Sequence, residues 1–151
     1  MPSPPNPSGL RERVQYGALP FRRDMSGDLE YLLISSRETG RWVIPKGWPK
    51  KGRPGWRTAE EEAYEEAGIL GRISQASIGR YRYIKWMPDR LVLCSVTLFP
   101  LRVDTELDNW PEQGERNCMW ASRGAAAVLV DEPDLAEIMR QTNLSREGSP
   151  L

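Results

Sequence analysis

The sequence predicts a mixed α/β sandwich built as a single domain without repeats, and three features of its patterning carry that expectation. Apolar and β-branched runs recur at residues 13–20, 29–35, 69–84 and 91–103, each the length and composition of a strand. One strongly helix-forming run separates the second of these from the third, and a shorter helical pattern closes the chain. The 151 residues suffice for one hydrophobic core and are short for two.

In order along the chain, residues 13–20 and 29–35 read as a hairpin around Met25-Ser26-Gly27-Asp28, with the second strand rich enough in Leu and Ile to be buried. Residues 41–45 form a short third strand. Gly47, Pro49, Gly52, Pro54 and Gly55 then break every regular period and predict a long loop of functional character. A helix follows from Thr58, with Thr58 as N-cap, Glu61 as its capping-box partner and Gly68 as the stop. Residues 69–84 and 91–103 are expected to pair across Trp86-Met87-Pro88-Asp89, the second being apolar enough for a central position. A last strand at 117–121 precedes a helix at 131–141, where Leu135, Ile138 and Met139 recur at helical spacing. Four prolines in the first ten residues, and a polar stretch at 143–151, mark both ends as disordered tails and leave 11–142 as the domain.

Composition excludes several functions. Lys and Arg number 21 and Asp and Glu 21, so the chain has no general basic character, and a nucleic-acid partner is not expected. No apolar run approaches the roughly 18 residues of a membrane span. The N-terminal residues lack the charged and apolar blocks of a secretory signal, which makes the cytoplasm the expected address. Two cysteines, Cys94 and Cys118, give neither a disulfide framework nor a zinc cluster and read as structural thiols. Histidine is absent, so a Ser-His-Asp triad, a Cys-His pair and a His-ligated metal are impossible. Acid–base work falls to carboxylates, Lys, Tyr or metal-bound water.

Charge is balanced in sum but sorted in sequence. Arg41, Lys46, Lys50, Lys51, Arg53 and Arg57 occur with no acid among them, and Glu60, Glu61, Glu62, Glu65 and Glu66 follow at once. At about 100° per residue, Glu62, Glu65 and Glu66 fall within an arc of about 100°, while Trp56, Ala59, Ala63 and Ala67 form a neighbouring stripe slim enough to lie against a sheet. A solvated acidic face is one reading of this helix. The other starts from the mutual repulsion of like charges at i, i+3 and i+4, which a hard divalent cation relieves. The loop before the helix supplies cations and glycines suited to phosphate oxygens.

Residues 47–69 resemble the Nudix box, G-x5-E-x7-R-E-U-x-E-E-x-G-U with U a bulky apolar residue. Gly47, Glu62, Glu65, Glu66, Gly68 and Ile69 match in register. Arg53 stands at the first Glu of the pattern, Glu61 at its Arg, and Ala63 is a small version of its apolar position. The two reversals suggest an ion pair of inverted polarity, Arg53 with Glu61, fixing the loop to the helix. The resemblance covers most of residues 13–140 and implies a Nudix-type α/β/α sandwich with a mixed β-sheet. Within the family, Ser35-Ser36-Arg37, Arg41-Trp42-Val43-Ile44-Pro45 and Leu107-Asp108-Asn109-Trp110 are most similar to the diphosphoinositol polyphosphate phosphohydrolases, which also cleave diadenosine polyphosphates. Pro45-Lys46-Gly47 is closer to the dinucleoside polyphosphate hydrolases.

What the resemblance implies is a phosphoanhydride hydrolase dependent on Mg²⁺ or Mn²⁺, with a phosphorylated small molecule as substrate. Glu62, Glu65 and Glu66 would be catalytic and would hold the metal together with Gly47. Ser35, Ser36, Arg37, Arg41, Lys46, Trp48 and Arg82 would bind substrate, with Arg80 and Lys85 adding to the surrounding charge. Glu112 and Glu115 are further acids before the last strand, ranked behind the box as general base. Trp42 and Trp56 are expected to support the core or loop, and Trp48 to be the exposed one. Two alternatives stay open: a Nudix-fold module that binds a ligand or regulates without hydrolysis, and an enzyme removing pyrophosphate from RNA 5' ends.

Overall fold

The computed structural model describes residues 9–151, so most of the proline-rich stretch expected at 1–10 lies outside the described residues. Its elements are β1 (Glu12–Arg23), β2 (Leu29–Ser35), β3 (Trp42–Val43), β4 (Lys46–Gly47), α1 (Gly55–Ala67), β5 (Ile69–Ile73), β6 (Gly79–Trp86), β7 (Leu91–Glu106), β8 (Cys118–Ser122), α2 (Arg123–Leu129) and α3 (Pro133–Gln141). One path through the sheet runs β3-β2-β1-β7-β5, with β4 added to β1, β6 to β7 and β8 to β2. The sheet is mixed: β1 and β7 pair in parallel over a long register, from Glu12 opposite Leu93 to Phe21 opposite Arg102, while the other pairs are antiparallel.

Alternation along β1 and β2 divides the core into two layers. Ala18, Leu32 and Ile34 face α1, where Ala59, Ala63 and Ala67 lie flat against them with Phe99 and Leu101. Leu19, Phe21, Tyr31 and Leu33 face the other way, onto Ala126, Ala127, Leu135 and Met139 of α2 and α3. Helices therefore cover both faces, as the sandwich expectation requires. Trp56 packs against the first layer and Trp42 against the second. Among the described residues no helix is long and apolar enough to cross a membrane.

Several local expectations are corrected. Helix α1 starts at Gly55 with Pro54 as N-cap, three residues before Thr58; the Thr58 side chain is buried against the sheet and its hydroxyl has no hydrogen-bond partner. Proline at the cap and a glycine that lets the Tyr16 ring approach set the entry, overriding the Thr58–Glu61 signature. The stop is as expected: Gly68 adopts φ +67 and donates to Tyr64 O.

The strand expected at 69–84 is two strands, because β1 occupies one edge of β7 and the other edge is shared end to end by β5 and β6. The strand expected at 41–45 is shorter, β3 at Trp42–Val43 on β2, and a second short strand, β4 at Lys46–Gly47, follows it on β1. An unforeseen helix, α2, follows β8, capped by Ser122 Oγ accepting from Ala125 N at 3.2 Å. Residues 143–151, expected as a loose tail, fold back through a bridge between Leu144 and Pro150, and Leu144 is buried in the core. Cys94 is buried, whereas Cys118 is exposed at the start of β8 rather than built into the interior.

Candidate active site

The small stripe Ala59, Ala63 and Ala67 brings α1 close to the sheet, and the adjacent turns carry Glu62 and Glu66 toward β4. Gly47, in β4, has no room for a side chain, because a Cβ there would run into the Glu62 carboxylate. Glu66 is latched to the same strand, its Oε2 accepting from Lys46 N at 3.3 Å. Gly47 is thus required by the close approach of a carboxylate, which gives its spacing from Glu62 in the sequence a steric meaning.

A second element closes on the end of α1. The loop after β7 is pinned there by Leu107 N donating to Gly68 O at 2.7 Å and Glu112 N donating to Glu65 O at 3.0 Å. The Trp110 ring lies where a Cβ on residue 68 would sit. This anchoring carries Arg116 to the site, where Nη2 is 3.3 Å from Glu66 Oε1 and 3.2 Å from Glu112 Oε1, while Nη1 donates to Ser35 O at 3.3 Å. The Arg116 and Glu66 side chains are only 11% and 6% exposed, so the pair interacts with little solvent screening.

Electrostatics follow from this burial. Desolvation raises the Glu66 pKa against the opposing pull of Arg116 and Lys46. Glu62 is also raised, first by burial and then by the neighbouring Glu65. Lys46 is displaced downward by burial, with Glu66 acting the other way. Its ammonium lies 5.1 Å from the centre of the Tyr83 ring.

A cleft of about 650 Å³ opens over these groups. Arg37, Arg41, Lys46, Arg82, Lys85 and Arg116 contribute cations to its lining, with Glu62 and Glu66 on the α1 side and Glu38, Glu112, Asp131 and Glu132 as further acids. Arg41 is held by Glu132 at 2.5 Å, Arg37 by Glu115 at 3.1 Å, and Arg82 by Glu12 at 3.3 Å. Ser36 and Trp48 also line the cleft, and the Arg13 guanidinium stacks 5.1 Å from a Trp48 ring centre.

Not every expected residue arrives there. Ser35 is buried and spends its polar groups on the fold, its Oγ accepting from Asn117 N at 2.8 Å, and it does not line the cleft. Glu65 is 40% exposed and is also absent from the lining. Arg53 and Glu61 are in contact, with Lys50 on the other Glu61 oxygen at 2.9 Å and Arg57 at 3.7 Å. Sequence reasoning missed Arg116 and Glu132. Nothing local marks either one, since the first depends on the anchored loop and the second on the approach of α3 to Arg41.

The donors suit a hard divalent cation. Glu62 and Glu66 each bear on the other's charge, both are half-buried or more, and burial works against ionisation until a cation joins them. Among the described residues no three His, Cys, Asp or Glu side chains converge closely enough to form an all-protein cage. Mg²⁺ is typically held by one or two carboxylates, with water and substrate phosphate completing its shell, and a two-carboxylate site is compatible with that habit.

A cleft lined by arginines, lysines and acids over paired helix carboxylates, set in a helix–sheet–helix sandwich, defines a protein of the Nudix type. No known family model matches the chain. Nudix hydrolase 16, mitochondrial, of Arabidopsis thaliana is 30% identical over 136 residues, covering 80% of this chain and 74% of that protein. Diphosphoinositol polyphosphate phosphohydrolase 3-alpha of Mus musculus is 27% identical over 149 residues, covering 96% and 84%. The solved structure of a C. elegans Ap4A hydrolase binary complex shares the fold, with a TM-score of 0.63 at 21% identity over 85% of this chain and 93% of that one. The chain spans 67%, 62% and 64% of the length of three other Arabidopsis thaliana Nudix hydrolases, numbered 21, 17 and 18. The chain belongs to the Nudix hydrolase family.

Proposed function

We propose that this chain is a divalent-metal-dependent hydrolase of phosphoanhydride bonds in a polyphosphorylated small molecule, of the diphosphoinositol polyphosphate or diadenosine polyphosphate class. One observation carries the reading: six cationic side chains line the cleft that contains Glu62 and Glu66, interleaved with the further acids Glu38, Glu112, Asp131 and Glu132. Several phosphates in one ligand are the chemistry that such a density of guanidinium and ammonium groups matches. The named activities of the mouse and C. elegans relatives point to the same kind of ligand.

In this reading Glu62 and Glu66 hold Mg²⁺ or Mn²⁺, with Glu65 beside them and the Gly47 backbone close by. Bound there, such a metal would supply a lowered water pKa and an offset to negative charge on the leaving phosphate. Arg37, Arg41, Lys46, Arg82 and Lys85 orient the phosphate chain and stabilise charge as it develops. Water oxygen forms a new bond to phosphorus, the bridging P–O bond breaks, and the leaving phosphate departs with the electron pair. With no His in the chain, the proton from water passes to a carboxylate. Glu66, the most enclosed of the box acids, is the choice, and Arg116 is its positioning partner.

The test is phosphate release from diphosphoinositol polyphosphates, diadenosine polyphosphates, nucleotide sugars and nucleoside triphosphates, with Mg²⁺, with Mn²⁺ and with chelator. Metal-dependent cleavage that falls roughly 10²–10⁴-fold in Glu66→Gln is expected. Ligand binding without turnover on any of them would replace the hydrolase with a binding module, the reading that the reversed charges at Arg53 and Glu61 favour.

A further inference from the structure

Lys50 extends from the cationic loop to the acidic side of α1. Its Nζ is 2.9 Å from Glu61 Oε2, 3.8 Å from Glu62 Oε1 and 3.9 Å from Glu65 Oε1. An ammonium thus sits against three carboxylates that would otherwise repel one another, two of which belong to the metal-binding set of the box. Glu61 holds it there. That residue stands where the box pattern has Arg, and its other oxygen is taken by Arg53 and Arg57.

We infer that Lys50 is a built-in counter-ion that competes with the divalent cation for the Glu62–Glu65 side of the site, and that the reversed box residue Glu61 keeps it in place. The inference rests on the metal-dependent reading above. An ammonium and a divalent ion sharing neighbouring oxygens repel strongly at such distances, so metal loading requires Lys50 to withdraw from Glu62 and Glu65. Its flexible four-carbon stem permits the movement, and Glu61 gives it a resting place outside the metal shell. The chain therefore exchanges a tethered monovalent cation for a free divalent one, which protects the acidic side of α1 while metal is scarce and weakens metal affinity.

The experiment measures Mn²⁺ affinity of the full chain by calorimetry and by water-proton relaxation, for wild type, Lys50→Gln, Lys50→Arg and Lys51→Gln. Lys51 is an exposed neighbour, so its substitution makes the same charge change away from the three carboxylates. Lys50→Gln should bind Mn²⁺ about tenfold more tightly. Lys50→Arg and Lys51→Gln should stay within about twofold of wild type. In chelator, Lys50→Gln should melt below wild type, and saturating Mn²⁺ should close that gap. Wild-type affinity in Lys50→Gln, or equal tightening in Lys51→Gln, overturns the inference and leaves the metal-dependent reading standing. Absence of Mn²⁺ binding in every variant overturns both.

Discussion

Glu61 and Glu66 sit five residues apart on one helix, and their surroundings assign them opposite tasks. Glu61 is met by Lys50, Arg53 and Arg57, three side chains that are 34%, 46% and 52% exposed. Glu66 is buried, answered by the single guanidinium of Arg116, and its charge is disfavoured by the desolvation around it. At the solvent-facing end, attraction is screened and shared among several partners, so a change in one ion pair costs the fold little. At the buried end the charges interact with little screening, so removing Arg116 leaves the enclosed Glu66 with only Lys46 to offset it. Exposure alone does not separate kept from reversed positions, since the kept Glu65 is 40% exposed and the reversed Glu61 22%.

Substitutions can break this contrast. The largest stability effect should follow from Arg116→Ala, which takes the guanidinium away from Glu66 and leaves Glu112 with Arg37 alone at 3.7 Å; a loss of about 3 kcal/mol in urea unfolding is expected, with Arg116→Lys recovering part of it. A loss no greater than that of an exposed pair would remove the distinction between the two ends. Gly47→Ala comes next, since a Cβ must displace the Glu62 carboxylate. Its expected signature is Mn²⁺ affinity weakened several-fold with unfolding free energy lowered by about 1–3 kcal/mol, as for other overpacked sites. Unchanged metal affinity would detach Gly47 from the site.

Smaller effects sharpen the picture. Arg53→Glu and Glu61→Arg should each cost about 1 kcal/mol or less, and the double variant should cost less than their sum. Strict additivity would show that the contact contributes no coupling. Full recovery is not expected, because an Arg at 61 also faces Lys50 and Arg57. The smallest effect is assigned to Thr58→Val, which removes a buried hydroxyl that has no partner and keeps the shape of the side chain. Thermal unfolding should show neutrality or stabilisation by up to about 1 kcal/mol, whereas a true N-cap would be destabilised by about that amount.

Thr58 also shows why local signatures misplace an element. Thr58-x-x-Glu61 satisfies the capping pattern in the sequence, yet Pro54 and the Tyr16 ring against Gly55 start the helix earlier, and Glu61 is engaged by the loop. The split of 69–84 was hidden for a related reason. Ser74 and Ile78 still bond to β7, through Pro100 O and Leu98 O, so the break lies in geometry that composition does not record. Where period and packing coincide the sequence is a faithful guide: the alanine stripe of α1, the apolar run of β7 and the left-handed stop at Gly68 all fall where their residue types place them.

Residue spacing by itself determined that one helix would present Glu62, Glu65 and Glu66 from a common side, preceded by a loop of cations and a glycine at 47, because helical period and glycine's lack of a side chain are local properties. Only the tertiary structure decided which of those acids would be enclosed and what would neutralise them. Arg116 reaches Glu66 through a loop anchored on Gly68, Glu132 reaches Arg41 from the start of α3, and Glu65 is left near solvent. A charge takes its energy from the distance and polarisability of everything around it, and those neighbours come from remote parts of the chain.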